Sequence, residues 1–249
     1  MSLLAIETPG TAILAAILFL GGLGASLLVA VRKYESTWYR ARAIAESIKT
    51  GTWRYAMGTE PFDLTLSSEE AKRKLVDLMQ KILSEHKDLA ADLSESADQE
   101  AITTYMTELR RFPLDKRLAT YRTERIDDQR TWYSKKATWN KKQGQFWFAV
   151  MVLLQIAAIV LCLFRVYLPE FKYWPIEVFA VAAGAVLTWI QVKRFRELAA
   201  AYSVAAHEIG LISSGLGNIK NNEEFSRFVQ DSENAFSREH TQWVARKDY

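Results

Sequence analysis

Two apolar runs within residues 146–192, held apart by a polar turn, constrain this chain more than anything else in it. The first run is FWFAVMVLLQIAAIVLCLF, the turn RVYLPEFKYW, and the second run PIEVFAVAAGAVLTWIQV. Each run is near the ~20 residues a helix needs to cross a hydrocarbon layer. Pro169 and Pro175 cannot continue a helix and so mark the turn. In hydrocarbon each backbone amide needs an internal partner, so the pattern predicts two helices in a tight hairpin. A buried hairpin in a water-soluble protein is the alternative, and a further apolar run counts against it.

That further run is TAILAAILFLGGLGASLLVAV, residues 11–31. A secretory signal carries positive charge ahead of its apolar core. Here Arg32 and Lys33 follow the core instead, which predicts an uncleaved anchor with its N-terminus outside. Gly21, Gly22, Gly24 and Ala25 leave room for another helix to come close. The charges agree on orientation. Arg32, Lys33, Arg40 and Arg42 follow the first run, and Arg130, Lys135, Lys136, Lys141 and Lys142 precede the second. Lys193, Arg194 and Arg196 follow the third, whereas the hairpin turn offers only Arg165 and Lys172 against Glu170. Positive residues stay inside, so the C-terminus is expected in the cytoplasm and the N-terminus outside. Trp147, Tyr167, Tyr173, Trp174 and Trp189 flank the runs as interfacial aromatics do.

The rest of the chain reads as helix. In KYESTWYRARAIAESIK the residues Trp38, Ala41, Ala45 and Ile48 recur at helical spacing, and Gly51 and Gly58 are expected to interrupt that helix. Ser67 with Glu70 fits a capping box, followed by Leu75, Leu78, Met79, Ile82 and Leu89 on one stripe. Ser96 with Gln99 is expected to start a helix that stops before Pro113. From Leu114 a long helix passes through Tyr121, Ile126, Trp132 and Trp139 and runs into the second span, with only Gly144 to interrupt it. After the third span a helix continues to a turn at Gly215, Gly217 and Asn218. The final segment places Phe225, Phe228, Val229, Phe236 and Trp243 on one face. No stretch alternates convincingly with period two. The expected fold is therefore an all-α membrane protein. It comprises an N-terminal transmembrane helix (1–34), a cytosolic helical bundle (35–145), a transmembrane helical hairpin (146–192) and cytosolic C-terminal helices (193–249).

Catalytic chemistry is hard to assemble from these residues. A net charge of +3 is too mild to argue for nucleic acid. The lone Cys162 lies within an apolar run, which leaves no disulfide framework and no thiolate metal site. His86, His207 and His240 have no second ligand at zinc spacing, and no phosphate loop, dinucleotide fingerprint or nucleophile elbow occurs. The reading is a non-enzyme without metal or cofactor.

Two constellations remain. Polar residues within the spans are costly unless they face protein or water. Glu177, Gly184, Thr188 and Gln191 share one face of the third span, and Gln155 sits with Met151, Ala158 and Cys162 on one face of the second. These are candidate pore-lining residues; ordinary helix packing across small residues is the other reading. Outside the spans, Arg54, Tyr55, Arg122, Arg125 and Trp132 are candidates to receive a nucleotide by phosphate pairing and stacking. Alternatively the aromatics pack a core, while the arginines pair with Glu124, Asp127 and Asp128 or bind anionic lipid.

Three runs carry a likeness. WYRARAIAESIKTGTWRYAM (38–57) with Pro61 and Phe62, YRTERIDDQRTWYSKKA (121–137), and the stretch from Phe225 to the REHTQW ending at Trp243 together resemble the SLATT family, the SMODS- and SLOG-associating two-transmembrane effector proteins of bacteria. The likeness covers most of residues 35–249; the N-terminal span goes beyond a two-helix pattern. What the resemblance implies is an effector of antiphage conflict systems that forms homo-oligomers in the inner membrane, perforates it, and kills or arrests the infected cell. It implies association with a nucleotidyltransferase or a nucleotide-sensing protein, and no catalytic residues. With no separate sensor in this sequence, the signal would reach the cytosolic helices as a nucleotide, an oligonucleotide or a partner protein. A non-conducting scaffold recruiting a partner through the amphipathic C-terminal helix is the rival expectation, and a membrane enzyme acting on lipid or nucleotide a second.

Overall fold

The computed structural model describes residues 34–86, 100–170 and 174–245 together with single positions between 13 and 24; for 34–39 and 237–245 it gives the backbone path alone. Every regular element among the described residues is helical. They are α1 (Tyr34–Met57), α2 (Ser68–Glu85), α3 (Thr104–Arg111), α4 (Leu114–Thr120), a π-helical turn (Tyr121–Asp127), α5 (Asp128–Tyr167), α6 (Ile176–Lys193), α7 (Phe195–Ser214), a 3-10 turn (Gly215–Asn218) and α8 (Asn222–Ala245). The chain forms two compact units, one of Met1–Val31 with Thr131–Ala206 and the other of Arg32–Arg130 with His207–Tyr249.

The first unit holds the hairpin. Two helical stretches, Leu114–Tyr167 and Ile176–Asn218, contain segments long and apolar enough to cross a membrane. Their apolar side chains are turned outward: Leu153, Ile159, Leu163, Val181 and Val192 are all exposed. A soluble hairpin would bury these residues against other protein, and an exposed apolar surface of this extent marks a membrane-facing or associating helix pair. The edge-on contact of Trp147 with Trp189, 6.1 Å between centroids, joins the two helices. Gly144 does not interrupt α5; a Cβ there would lie 3.2 Å from the Phe195 Cβ, so glycine admits α7. The third span ends at Arg194, which adopts a left-handed conformation with φ 48° and donates its amide to Ile190 O at 3.1 Å. A new helix, α7, starts at the next residue. The expected N-terminal span lies largely outside the described residues; the positions described there are helical.

In the second unit α1 packs on α2, α3 and α8. Its buried side is centred on Ile44 and not on Ala45, which is exposed. The helix runs through Gly51 without a break. A Cβ at Gly51 would come within 2.9 Å of Leu78 Cδ2, so this glycine lets α2 approach. The break comes only at Gly58, with φ 64°. There Thr59 N bonds Arg54 O and Gly58 N bonds Tyr55 O, each at 3.0 Å, the Schellman end that a left-handed glycine allows. The capping box forms as expected: Glu70 N donates to Ser67 Oγ at 3.2 Å and Ser67 N to the Glu70 carboxylate at 3.0 Å. The Ser67 hydroxyl also donates to that carboxylate at 2.7 Å, and this bond, followed by the one from Ser67 N, holds the Glu70 carboxyl below its ordinary value. Leu75 with Tyr55, Phe62 and Ala71 makes a small core, flanked by Leu78 and Met79. Leu89, Ser96 and Gln99 lie outside the described residues. The helix ahead of Pro113 begins at Thr104, where the Thr103 hydroxyl accepts from Met106 N, while residues 100–103 are not helical.

Candidate functional site

The second unit gathers buried polar groups where α1, the π-helical turn and α8 meet. α8 supplies an apolar face of Phe225, Val229 and Phe236, all buried. Glu233 interrupts that face, fully buried. A buried carboxylate must be paired and hydrogen-bonded to be tolerated. Arg125 meets it with two parallel bonds, Nε to one oxygen at 2.9 Å and Nη2 to the other at 2.6 Å. The Tyr121 hydroxyl donates to Glu233 at 2.9 Å and the Thr50 hydroxyl at 3.0 Å. Alongside, Arg54 donates to Asn234 Oδ1 at 2.7 Å and to Gln230 O at 3.4 Å.

The π-helical turn is what presents this pair. Its wider winding sets Tyr121, Arg125 and Ile126 together on the buried side, with Tyr121 edge-on to Trp53, Phe225 and Phe228. The Arg125 guanidinium lies 4.9 Å from the Phe236 ring centre. Burial, and then the neighbouring Glu233 charge, push the Tyr121 phenol well above its ordinary value. Burial pulls Arg125 the other way, and the Glu233 hydrogen bonds and charge outweigh it, so its net shift is upward. Burial followed by the Arg125 charge lowers the Lys49 ammonium. Nη1 of Arg125 and Nε of Arg54 are buried with no hydrogen-bond partner among the described residues.

Two further arginines secure the end of α1. Arg110 donates to the carbonyls of Tyr55, Phe62 and Asp63, the last at 2.6 Å. Arg117 donates to Phe112 O at 3.0 Å, to Met57 O and to Asn222 Oδ1. Cations at the carbonyl end of a helix complement its dipole and its unsatisfied acceptors.

Of the five candidate ligand residues, Arg54 and Arg125 converge on α8 between Gln230 and Asn234. Tyr55 packs in the core beside Phe62, its ring centre 6.0 Å from that ring. Arg122 is exposed, and Trp132 belongs to the other unit, edge-on to Tyr133 and Tyr202. Glu233, Thr50, Arg110 and Arg117 were not legible as partners. A carboxylate amid the Val229 and Phe236 face was the available sign of one. The five candidate pore residues, Gln155, Glu177, Gly184, Thr188 and Gln191, are all exposed on the hairpin helices. Nothing lies within 4 Å of where a Gly184 Cβ would be, and the Thr188 hydroxyl bonds its own helix at Gly184 O, 3.0 Å. No set of metal-ligating side chains occurs among the described residues.

Family models match both halves of the sequence. The model for SMODS and SLOG-associating 2TM effector domain 1 matches residues 121–243, and that for domain 3 matches residues 2–118. The chain belongs to the SLATT family. The two matches abut where the π-helical turn begins, so the Arg125 and Glu233 pair falls wholly within the domain 1 match. No curated protein and no solved structure matches the chain. The SLATT assignment makes it an effector domain of the two-transmembrane type, in keeping with the two apolar helices.

Proposed function

We propose that this SLATT protein is the pore-forming effector of a bacterial antiphage system, assembling as a homo-oligomer in the inner membrane with its C-terminus in the cytoplasm. The observation that carries this reading is the exposed polar row of the hairpin. Glu177 and Gln191 on α6, and Gln155 on α5, are costly in hydrocarbon, and all three are exposed, as is Thr188 on the same face of α6. Further copies of the hairpin would turn these faces inward around water, with Glu177 as an acidic ring at one mouth.

Gating falls to the Arg125 and Glu233 pair. A phosphate-bearing signal, a nucleotide or oligonucleotide made by an associated nucleotidyltransferase, competes with Glu233 for the Arg125 guanidinium and with Asn234 for that of Arg54, each of which retains a spare donor. Winning that competition frees α8 and relieves the constraint on the π-helical turn, from which α5 continues as the hairpin helix. Such a ligand shifts the gate only by its difference in affinity for the two arrangements. The scaffold alternative draws no support from Phe225, Val229 and Phe236 of α8, which are already buried within the chain; the Trp243 side chain lies outside the described residues.

The test is current through planar bilayers containing the purified protein. Discrete conductance steps, with a frequency that changes on adding candidate nucleotides, are expected. Silent bilayers across lipids and nucleotides, with insertion verified, would refute the pore.

A further inference from the structure

Among the described residues Arg194 is the only non-glycine with a left-handed backbone. Arginine is disfavoured there, and no glycine or proline stands at this joint to ask for the turn. Because α7 starts at the next residue, what the one left-handed residue changes is the face that each helix presents. On α6 the covered positions include Phe179, Ala183, Val186 and Ile190; on α7 they include Phe195, Tyr202 and Ala206. At about 100° per residue, one unbroken helix would hold these two rows roughly 140° apart. The α7 row would instead run straight back into Glu177, Gly184, Thr188 and Gln191, the exposed candidate pore residues. The left-handed residue is therefore what keeps the polar row of α6 off the side that α7 covers.

Beyond the joint, α7 is seated on α5. Phe195 is buried, lies edge-on to Trp139 at 6.3 Å and sits where Gly144 leaves room, and Tyr202 meets Trp132 at 5.8 Å. α6 is freer to turn, because moving an apolar face from a neighbouring helix to lipid exchanges one apolar surface for another. We propose that Arg194 is a two-position joint that sets which way the third span faces. Left-handed, as in this structure, it turns the polar row of α6 away from α5, where the row can line a pore. Wound as ordinary helix, it turns α6 by roughly 140° and lays the same row against α5, which removes it from the wall. This role in opening and closing rests on the pore reading above; the joint itself needs only the hairpin.

The test compares Arg194→Gly, which accepts the left-handed turn, with Arg194→Val, whose branched side chain resists it. Both lose the ion pair of Arg194 with Glu197, so that contact cannot separate them. The full chain, carrying Cys162→Ser, is reconstituted in lipid vesicles and cross-linked with a short bifunctional thiol reagent. One cysteine pair replaces Trp147 and Trp189, which touch across α5 and α6. A second pair replaces Trp132 and Tyr202 and reports the seat of α7. Cross-linking of the first pair should be several-fold slower in the valine variant than in the glycine variant, against a shift of roughly 5- to 30-fold in the balance of the two windings. The second pair should react equally in both. Circular dichroism verifies that each variant is helical, and wild type against Arg194→Gly, with the glycine at least as fast, serves if valine prevents folding. Equal rates at the first pair, or a matching loss at the second, would overturn the joint. In planar bilayers the glycine variant should open more often. Equal currents beside shifted cross-linking would overturn the role in opening, whereas silent bilayers beside shifted cross-linking would refute the pore and leave the joint standing.

Discussion

Glu233 accepts from Arg125 twice, from Tyr121 and from Thr50, which uses the acceptor capacity of a carboxylate, about four sites. Removing it strands a guanidinium that is fully buried. Glu233→Ala is expected to lower unfolding free energy by about 3–5 kcal/mol, whereas Glu233→Leu combined with Arg125→Met recovers most of the loss, because an apolar pair of similar volume carries no desolvation cost. Chemical denaturation of the two variants beside the wild type measures the difference. The sequence offers Arg125 either to a ligand or, with the other arginines, to Glu124, Asp127 and Asp128 or lipid, yet Glu124 accepts from Tyr105 at 3.0 Å. The true partner lies 108 residues away, and local spacing carries no information at that range. The capping box is the opposite case, since both partners sit within four residues and both were legible. Its hydrogen bonds lower the Glu70 carboxyl in the folded chain, so their contribution is complete above the unfolded value and is lost as pH falls through the lower, folded one. Ser67→Ala should therefore raise the Glu70 titration midpoint toward 4.5, the ordinary value, and speed amide exchange in the first turn of α2. An unmoved midpoint would show that the cap does not set it.

At the scale of elements, long amphipathic and apolar helices were plain from periodicity, and the continuation of α5 into the hairpin was among them. Departures from ideal helix were not. Gly51 and Gly58 read alike in sequence as interruptions, but one admits a neighbouring helix and the other ends its own. The π-helical turn has no compositional mark, because its winding is fixed by where Tyr121 and Arg125 find partners on α8. The two glycines should respond differently to the same change. Gly58→Ala forces a side chain into a left-handed position, at about 1–2 kcal/mol. It also sets the new Cβ against Leu64. Gly51→Ala displaces the movable Leu78 methyl and touches Leu75 Cδ1 at an ordinary 3.7 Å, and the gain from replacing glycine within a helix, about 0.5–1 kcal/mol, offsets that shift. Unfolding midpoints should fall clearly for the first and stay within error for the second.

For the whole molecule, the sequence made the hairpin and its polar faces legible, but not what those faces meet, since side-chain periodicity carries no information about a distant partner. In the single chain Gln155, Gly184, Thr188 and Gln191 are exposed. Their chemistry therefore has little bearing on the stability of one copy, and in the proposed oligomer it would act on the surface between copies. This separates a pore wall from ordinary packing inside the chain. Gln155→Leu and Thr188→Leu should leave the unfolding midpoint of the detergent-solubilised chain within about 0.5 kcal/mol of wild type, as substitutions at exposed positions do. In planar bilayers the same variants should reduce unit conductance several-fold or abolish it, because leucine at a narrow wet surface favours dewetting. Glu177→Gln should instead alter the preference for cations over anions, read as a shift in reversal potential under a salt gradient. Unchanged currents from all three variants would remove these positions from the wall and return them to the lipid-facing surface. A lowered midpoint together with lowered current would show that they pack within the chain after all.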